Sequence, residues 1–289
     1  MCGFDRAELI ITVGYDFAEY APIFWNSQND KLIIHIDSLA AEVDQFYNPE
    51  VELVGNIKTT LETLTELTGF TKNFPYIETL KDIHRKEYRI HKDSTAFPIK
   101  PQKLLYDLRH AMADEDILIS DVGMHKIWTA RIYPAYKPNT VIISNGFASM
   151  GFALPGCLAA KLVHPDRKVV AVCGDGGFLM NSQELETARR FKLNFVVVVF
   201  NDSRFGMIEW KQINRFGGKS FGMEFNNPDF VTYAESLGCV GMRVTRTEDL
   251  LPTLKKALAT DNVVIVDVPV DYSENFELTN RLGQLVCPL

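Results

Sequence analysis

The sequence has 289 residues, of which 46% are hydrophobic and 23% are charged, and its formal net charge at pH 7 is −7. This length suits about two globular domains, and the acidic balance without a basic stripe argues against nucleic-acid binding. No apolar run approaches the roughly 18–20 residues of a membrane span, so no membrane partner is expected. The N-terminus lacks the layout of a signal peptide and the five cysteines are scattered, which predicts a cytoplasmic protein with reduced cysteines.

The first 70 residues predict half of a Rossmann-like domain. Three strands and one amphipathic helix closed by Gly69 are expected, at residues 9–15, 31–37, 51–54 and 58–68. His35 alternates with isoleucines on the second strand, so a structural histidine is expected there. Asp37 ends that strand where a dinucleotide enzyme places a ribose-binding acid. No G-x-G-x-x-G motif precedes it, however, so nucleotide binding is not expected.

A polar stretch at residues 71–100 predicts a linker that contains one solvated helix. The proline-containing run at residues 97–101 marks the start of a second domain, which we assign to residues 101–272. Residues 273–289 are predicted to form a C-terminal tail in which no chemistry is recognisable.

The second domain predicts a doubly wound parallel sheet of the α/β class. Short apolar, β-branched runs bounded by turn residues are typical of strands buried on both faces. Strands are expected at 116–120, 141–144, 168–173, 194–200 and 263–268, and helices at 101–113, 148–161, 181–190 and 229–237. The helix at 181–190 carries Leu185 and Ala188 on one face and lies between two strands. This segment therefore predicts a right-handed parallel β-α-β unit.

Each strand of that unit is followed by a loop with a carboxylate, Asp175 or Asp202. Neighbouring parallel strands bring such loops together at the carboxyl edge of the sheet, where ligands bind in folds of this class. Gly174, Gly176 and Gly177 allow a ligand to approach closely, and the following helix offers free N–H groups to an anion. Asp oxygens suit Mg²⁺, which usually retains substrate phosphates. The pattern predicts a Mg²⁺–diphosphate site with Asp175 in a surface loop; the alternative is a simple tight turn.

Longer motifs make the chain resemble a known family. Gly174-Asp175-Gly176, followed by Asn201-Asp202, is similar to the signature of thiamine diphosphate enzymes. Three further stretches resemble acetolactate synthase large subunits, especially the catabolic, flavin-independent type. They are 121–128 (DVGMHKIW), 144–155 (SNGFASMGFALP) and 177–187 (GFLMNSQELET). The likeness covers essentially the whole chain, and the motifs agree in order and spacing.

This resemblance implies thiamine diphosphate and Mg²⁺ as cofactors. It assigns the metal to Asp175, Asp202 and the carbonyl of Arg204. It also assigns a contact with the diphosphate to His125, whose alternative role is a helix N-terminal histidine without a ligand.

The resemblance further implies that Met150 acts as a wedge that holds the cofactor in its V shape, which we regard as its catalytic contribution. A methionine fills irregular gaps well, and the alternative is a plain core residue. A backbone carbonyl near Ala148 is expected to meet the pyrimidine amine. The implied cofactor-binding residues are His125, Ala148, Met150, Gly174, Asp175, Gly176, Gly177, Asp202, Arg204, Phe205, Gly206 and Met207.

The implied activity is decarboxylation of pyruvate and carboligation to a second pyruvate, giving 2-acetolactate. In related chains a pyrimidine-binding domain comes first and supplies the glutamate that activates the cofactor. No residue of this chain takes that role, so the chain alone is expected to be inactive. The alternatives are one chain of a split 2-keto-acid decarboxylase, with a separate pyrimidine-domain chain, and a non-catalytic truncated remnant. An exposed apolar face around Phe147, Met150 and Phe152 predicts a homo-oligomer.

Two further features follow Gly206. Biosynthetic relatives carry a tryptophan that shapes the acceptor pocket, and alignment on Gly206-Met207 places Lys211, not Trp210, at that position. This favours pyruvate as both donor and acceptor. The glycine-rich, cationic loop at 215–223 either closes over the cofactor or is simply mobile.

Overall fold

The computed structural model describes residues 2–17, 20–68 and 75–275. Two compact units divide these residues, with the boundary between Lys81 and Asp82. The boundary falls inside the stretch 71–100 that the sequence assigns to a linker. Gly69 and the part of the predicted tail from residue 276 onward lie outside the described residues. None of the helices in the described ranges has the length and apolar character needed to cross a bilayer.

The first unit is built around three short parallel strands. After helix α1 (Cys2–Arg6), strand β1 (Leu9–Val13) pairs with β2 (Leu32–Asp37), and β2 pairs with β3 (Val51–Val54). Helix α2 (Ile57–Thr68) follows. The three strands and the helix occur where the sequence predicts them, which confirms a small Rossmann-like arrangement.

The two faces of this sheet differ in burial. A cluster of Ile10, Trp25, Ile33 and Tyr47 forms the core on one face. His35 is buried beside it with its Nδ1 atom 2.8 Å from the Tyr47 hydroxyl, so it is a structural histidine as expected. Large apolar side chains of β1 and β2 remain exposed: Leu9, Ile11, Val13 and Leu32.

The second unit is an all-parallel sheet with helices around it. Helix α3 (Pro75–Arg89) spans the boundary between the units. The strands are β4 (Ile117–Ser120), β5 (Val141–Ile143), β6 (Val169–Gly174), β7 (Val196–Asn201), β8 (Val240–Arg243) and β9 (Val264–Pro269). The helices are α4 (Pro101–Ala111), α5 (Met124–Ile132), α6 (Ala153–Val163), α7 (Asp175–Met180), α8 (Glu184–Arg190), α9 (Gly206–Arg215), α10 (Phe230–Ser236) and α11 (Leu250–Ala259). Six strands of the described residues pair in the order β5-β4-β6-β7-β9-β8, as the predicted doubly wound α/β class requires.

The two central strands carry the core of this unit. The first five residues of both β6 and β7 are buried, because helices cover both faces of the sheet. Their register pairs Gly174 with Phe200, so the two strands end level with each other. The loops that follow them therefore leave the sheet side by side.

Three features of the second unit differ from the sequence expectations. The helix expected from Ala148 begins at Ala153, because Ala148 and Gly151 have positive φ angles of 51° and 84°, which a helix does not allow. The helix expected at 181–190 is present as α8, and a further helix, α7, precedes it, because the segment after β6 is already helical from Asp175. Strand β8 and helices α9 and α11 are not among the elements expected from the sequence; short amphipathic segments of this kind are stabilised mainly by tertiary packing.

Candidate functional site

A cavity opens at the carboxyl edge of the parallel sheet, where the loops after β4, β6 and β7 meet. Of the cofactor residues implied by the resemblance, all but Ala148 line this cavity. Val122, Gly123, Met124, Phe200, Ile208 and Tyr272 complete the lining. The sequence therefore brings its two acidic loops and the His125 loop to one place, through strands that are distant in the chain.

Asp175 is the first residue of α7 and is only 1% exposed, so the expectation of a surface loop is wrong. Its Oδ2 atom accepts hydrogen bonds from the backbone N–H groups of Ser203, at 2.6 Å, and Asp202, at 3.2 Å. Its Oδ1 atom accepts from the Gly176 N–H at 2.8 Å. The level ends of β6 and β7 place this carboxylate against the loop after β7, and that packing removes it from solvent.

Asp202 lies beside Asp175 in the same cavity. Burial, followed by the negative charge of Asp175, raises the pKa of Asp202 to about 7. Two carboxylates in a desolvated site repel each other, and a divalent cation between them would relieve this repulsion. The donor set fits Mg²⁺, which binds through one or two carboxylates and takes its other ligands from carbonyls, water or phosphate oxygens. Within the described ranges, no group of three or more His, Cys, Asp or Glu side chains forms a metal site.

The side chain and the backbone of Arg204 have different surroundings. The guanidinium group forms ion pairs with Glu209, at 2.6 Å, and with Glu224, and it is partly exposed. Arg204 nevertheless lines the cavity together with Asp202 and Phe205. This arrangement is compatible with an inward role for the backbone of the loop and an outward role for its charged side chain.

His125 is a neutral group in the wall of the cavity. It is 2% exposed, and burial lowers its pKa to about 4, so the imidazole is uncharged at neutral pH. Its ring packs against Gly123 so closely that a Cβ atom at that position would lie 2.7 Å from the His125 Cε1 atom. The absence of a side chain at Gly123 therefore allows the observed position of the His125 ring.

Met150 lies on a turn that a buried carboxylate holds in place. Both carboxylate oxygens of Asp121 lie near the Gly151 N–H, at 2.9 and 3.0 Å, and Oδ1 also accepts from the Val122 N–H. The Asn181 side chain donates to the Gly151 carbonyl at 2.8 Å. These bonds connect the turn before α6 to the loops after β4 and α7, so they determine where Met150 enters the cavity.

Unpaired buried polar atoms concentrate around this cavity. Six buried side-chain nitrogen or oxygen atoms of the described residues lack a hydrogen-bond partner, and three of them belong to His125, Asn227 and Tyr272. His125 and Tyr272 line the cavity, and Asn227 contacts Asp175. Because buried polar groups are normally paired, such a concentration indicates a site for a polar ligand.

Three polar side chains at or beside the cavity have no role assigned from the sequence: Asp121, Asn227 and Tyr272. Asp121 directly follows a strand and begins the motif at 121–128, so its position in the sequence indicates a residue at the carboxyl edge of the sheet. Asn227 precedes Pro228 in a segment typical of a turn, and Tyr272 follows the last strand; only the fold shows that they approach Asp175 and Asp202.

The adjoining cavity bears on the expectation for the acceptor pocket. It shares Asp202 and Arg204 with the first cavity and is also lined by Trp210. The side chain of Lys211 is exposed. Trp210, which the alignment sets aside in favour of Lys211, thus lines this cavity together with Glu209 of the same helix.

The fold and the cavity together correspond to a known class of domain. Residues 121–268 match the family model described as "Thiamine pyrophosphate enzyme, C-terminal TPP binding domain". This match spans both acidic loops, the His125 loop and Met150, and the chain belongs to this family.

The relatives narrow the likeness to acetolactate synthases and confirm the resemblance seen in the motifs. The chain is 37% identical to the acetolactate synthase of Bacillus subtilis over 96% of its own length and 49% of the relative. It is 36% identical to the catabolic acetolactate synthase of Raoultella terrigena, over 96% of the chain and 50% of the relative. Identity to the acetolactate synthase large subunit of Corynebacterium glutamicum is 31%, over 91% and 44%. The chain thus spans about half the length of these relatives.

Proposed function

We propose that this chain binds thiamine diphosphate together with Mg²⁺ and forms the diphosphate-binding half of an acetolactate synthase-like site that acts on pyruvate. The observation that carries the proposal is the pair Asp175 and Asp202, which meet at the ends of adjacent parallel strands. Family membership supports the choice of cofactor, and the acetolactate synthase relatives support the choice of substrate.

Each group at the site has a separate task in this function. Thiamine diphosphate, when bound, supplies an electron sink for decarboxylation of a 2-keto acid. Asp175, Asp202 and the Arg204 carbonyl bind the metal. His125 contacts the diphosphate, and Met150 supports the rings of the cofactor.

The same geometry implies that a further carboxylic acid must come from elsewhere. Among the described residues, the acids that line the cavity are Asp175 and Asp202, and both are assigned to the metal. An acid that activates the pyrimidine ring is worth about 10²–10⁴ in rate as general acid–base help. We therefore propose a pyrimidine-binding domain on a separate chain as the partner of this site.

Calorimetric titration with thiamine diphosphate, with and without Mg²⁺, tests the binding proposal. Heat of binding is expected only when the metal is present, because the carboxylates alone repel a diphosphate. Equal binding in EDTA, or none in saturating Mg²⁺, would contradict it.

An activity assay on the same preparation tests the need for a partner. Pyruvate consumption by the 289-residue chain, with saturating cofactor and metal, is expected to stay far below the roughly 1 s⁻¹ typical of enzymes. Addition of a purified pyrimidine-binding domain from an acetolactate synthase is expected to raise it. Acetolactate formation by the chain alone at about that rate would show that it contains its own activating acid.

A further inference from the structure

The loop that carries Asp202 and Arg204 is paired with a second segment, residues 223–227. The Phe205 N–H donates to the Met223 carbonyl at 2.9 Å, and the Phe225 N–H donates to the Ser203 carbonyl at 3.1 Å. Arg204 and Glu224 form the antiparallel bridge between these bonds. Residues 203–205 are therefore held on one side by a short piece of β structure.

Side chains reinforce this pairing on both of its faces. The rings of Phe205 and Phe225 lie 4.6 Å apart, which is within the range of a favourable aromatic contact. The ion pair between Arg204 and Glu224 crosses the pair on its outer side. The segment 223–227 thus fixes the loop by backbone, aromatic and charged contacts at once.

Asn227 at the end of this segment reaches the buried carboxylate itself. Its Nδ2 atom lies 2.7 Å from the Asp175 Oδ2 atom, 2.9 Å from the Asn201 Oδ1 atom and 3.2 Å from the Ser203 hydroxyl. Its Oδ1 atom is buried and has no hydrogen-bond partner. One amide group therefore joins the loop after β6 to the loop after β7.

The amide chain continues away from the cavity. Asn201 donates to the Asp267 Oδ1 atom at 2.9 Å, and the Arg243 Nε atom donates to the Asp267 Oδ2 atom at 2.8 Å. Asp267 is 2% exposed and lies on β9. Because β7 pairs with β9, this second buried carboxylate anchors Asn201, and Asn201 in turn helps to hold Asn227.

We infer that Asn227 is a positioning residue for the metal-binding carboxylate of Asp175. Its N–H group restrains one oxygen of Asp175, and this leaves the orientation of the carboxylate fixed before a metal arrives. The buried Oδ1 atom of Asn227, which has no partner among the described residues, would accept a hydrogen bond from a water bound there. The inference rests on the proposed function, since it concerns the same metal site, and it assigns a role to a residue outside the family motifs described above.

The test compares Asn227→Leu, which keeps the volume and removes the amide, with Asn226→Leu at the exposed neighbouring asparagine. Affinity for Mn²⁺ is measured by electron paramagnetic resonance in the presence of thiamine diphosphate, and the thermal midpoint is measured without metal. Loss of a hydrogen bond to a charged group predicts roughly tenfold weaker Mn²⁺ binding for Asn227→Leu. Asn226→Leu is expected to bind as the wild type does.

The outcomes separate this inference from the proposed function. A wild type without metal-dependent cofactor binding overturns both. A wild type that binds and an Asn227→Leu variant that binds equally well overturns the positioning role alone. So does a variant whose midpoint falls while its Mn²⁺ affinity in the folded state is unchanged, because that result indicates a merely structural role. If Asn227→Leu does not fold, Asn227→Ala replaces it in the same titration.

Discussion

Asp175 has both a proposed metal-binding role and a structural role. Its carboxylate is expected to bind a metal, yet it also accepts hydrogen bonds from Ser203, Asp202 and Asn227. Burial raises its pKa, and these donors oppose that change. The residue is thus part of the fold as well as of the site.

We predict that Asp175→Ala abolishes Mg²⁺-dependent binding of thiamine diphosphate and also lowers the free energy of unfolding. Four donors, the N–H groups of Gly176, Asp202 and Ser203 and the Asn227 amide, lose their acceptor. An unpaired buried group costs about 1–3 kcal/mol. Asp175→Asn, which keeps one oxygen, is expected to lose metal binding with a smaller loss of stability. Urea unfolding and calorimetry of both variants check this, and an alanine variant with wild-type binding would remove Asp175 from the metal site.

The pH dependence of stability is predicted to depend on His125. Burial lowers the pKa of His125 from 6.5 to about 4. Between these values the unfolded chain binds more protons at His125 than the folded one, so the contribution of this histidine to stability falls as the pH drops through this range. At pH 5 this effect lowers the free energy of unfolding by on the order of 2 kcal/mol relative to neutral pH.

Urea unfolding near neutral pH and near pH 5 measures this effect. His125→Gln is expected to lack this part of the pH dependence, whereas His164→Gln, at an exposed histidine, is expected to retain it. Identical pH profiles for the wild type and His125→Gln would show that the imidazole is not held neutral by burial.

At the scale of elements, the turn before α6 is the part of the site with the most demanding backbone. Gly146 and Gly151 both have positive φ angles, but their surroundings differ. A Cβ atom on Gly151 would lie 2.7 Å from the Asn181 Nδ2 atom and 3.1 Å from the Met180 Cβ atom, whereas one on Gly146 would meet nothing within 4 Å. Alanine substitutions at these two glycines therefore separate the cost of backbone strain, which both share, from the cost of the clash at Gly151.

We predict that Gly146→Ala costs about 1 kcal/mol of stability, from backbone strain alone. Gly151→Ala is expected to cost about 2–4 kcal/mol and to weaken cofactor binding, because relief of the clash displaces the Met150 turn. Thermal unfolding and calorimetric titration measure both effects. Equal losses for the two variants would mean that close packing at Gly151 contributes nothing.

The difference between these elements explains how much the sequence could predict. Strands β6 and β7 were placed closely because their valine runs are bounded by Gly174 and by the Asn201-Asp202 pair, all local signals. The sequence predicts a helix through residues 148–152, because the residues there allow one. The observed turn depends on hydrogen bonds to Asp121, which lies in another loop. Asn227 could not be found for the same reason: its contacts join residues 24–52 positions away.

At the scale of the whole molecule, exposed aromatic side chains near the cavity are predicted to cause self-association. Phe147 is 97% exposed, and Phe152 and Met150 are partly exposed nearby in the chain. Apolar patches of several hundred Å² are seldom left open to water. Sedimentation at micromolar concentration is expected to show dimers or larger species.

Phe147→Glu is expected to shift this equilibrium toward the monomer. Phe221→Glu, at a phenylalanine that is 90% exposed in another loop, serves as the matched control and is expected to leave it unchanged. A monomeric wild type, or equal effects of the two substitutions, would exclude this face as the contact.

The central position of β6 and β7 has a consequence for amide hydrogen exchange. The innermost strands of a sheet release their protons only in global opening, whereas an edge strand such as β8 frays locally. A ligand that holds the loops after β6 and β7 together binds only the folded state. It therefore slows exchange at Val172 and Val198 by the same factor by which it stabilises the folded state against unfolding. The exchange rates of the Val172 and Val198 amides are therefore expected to depend on cofactor affinity, whereas the exchange rates of the β8 amides are not.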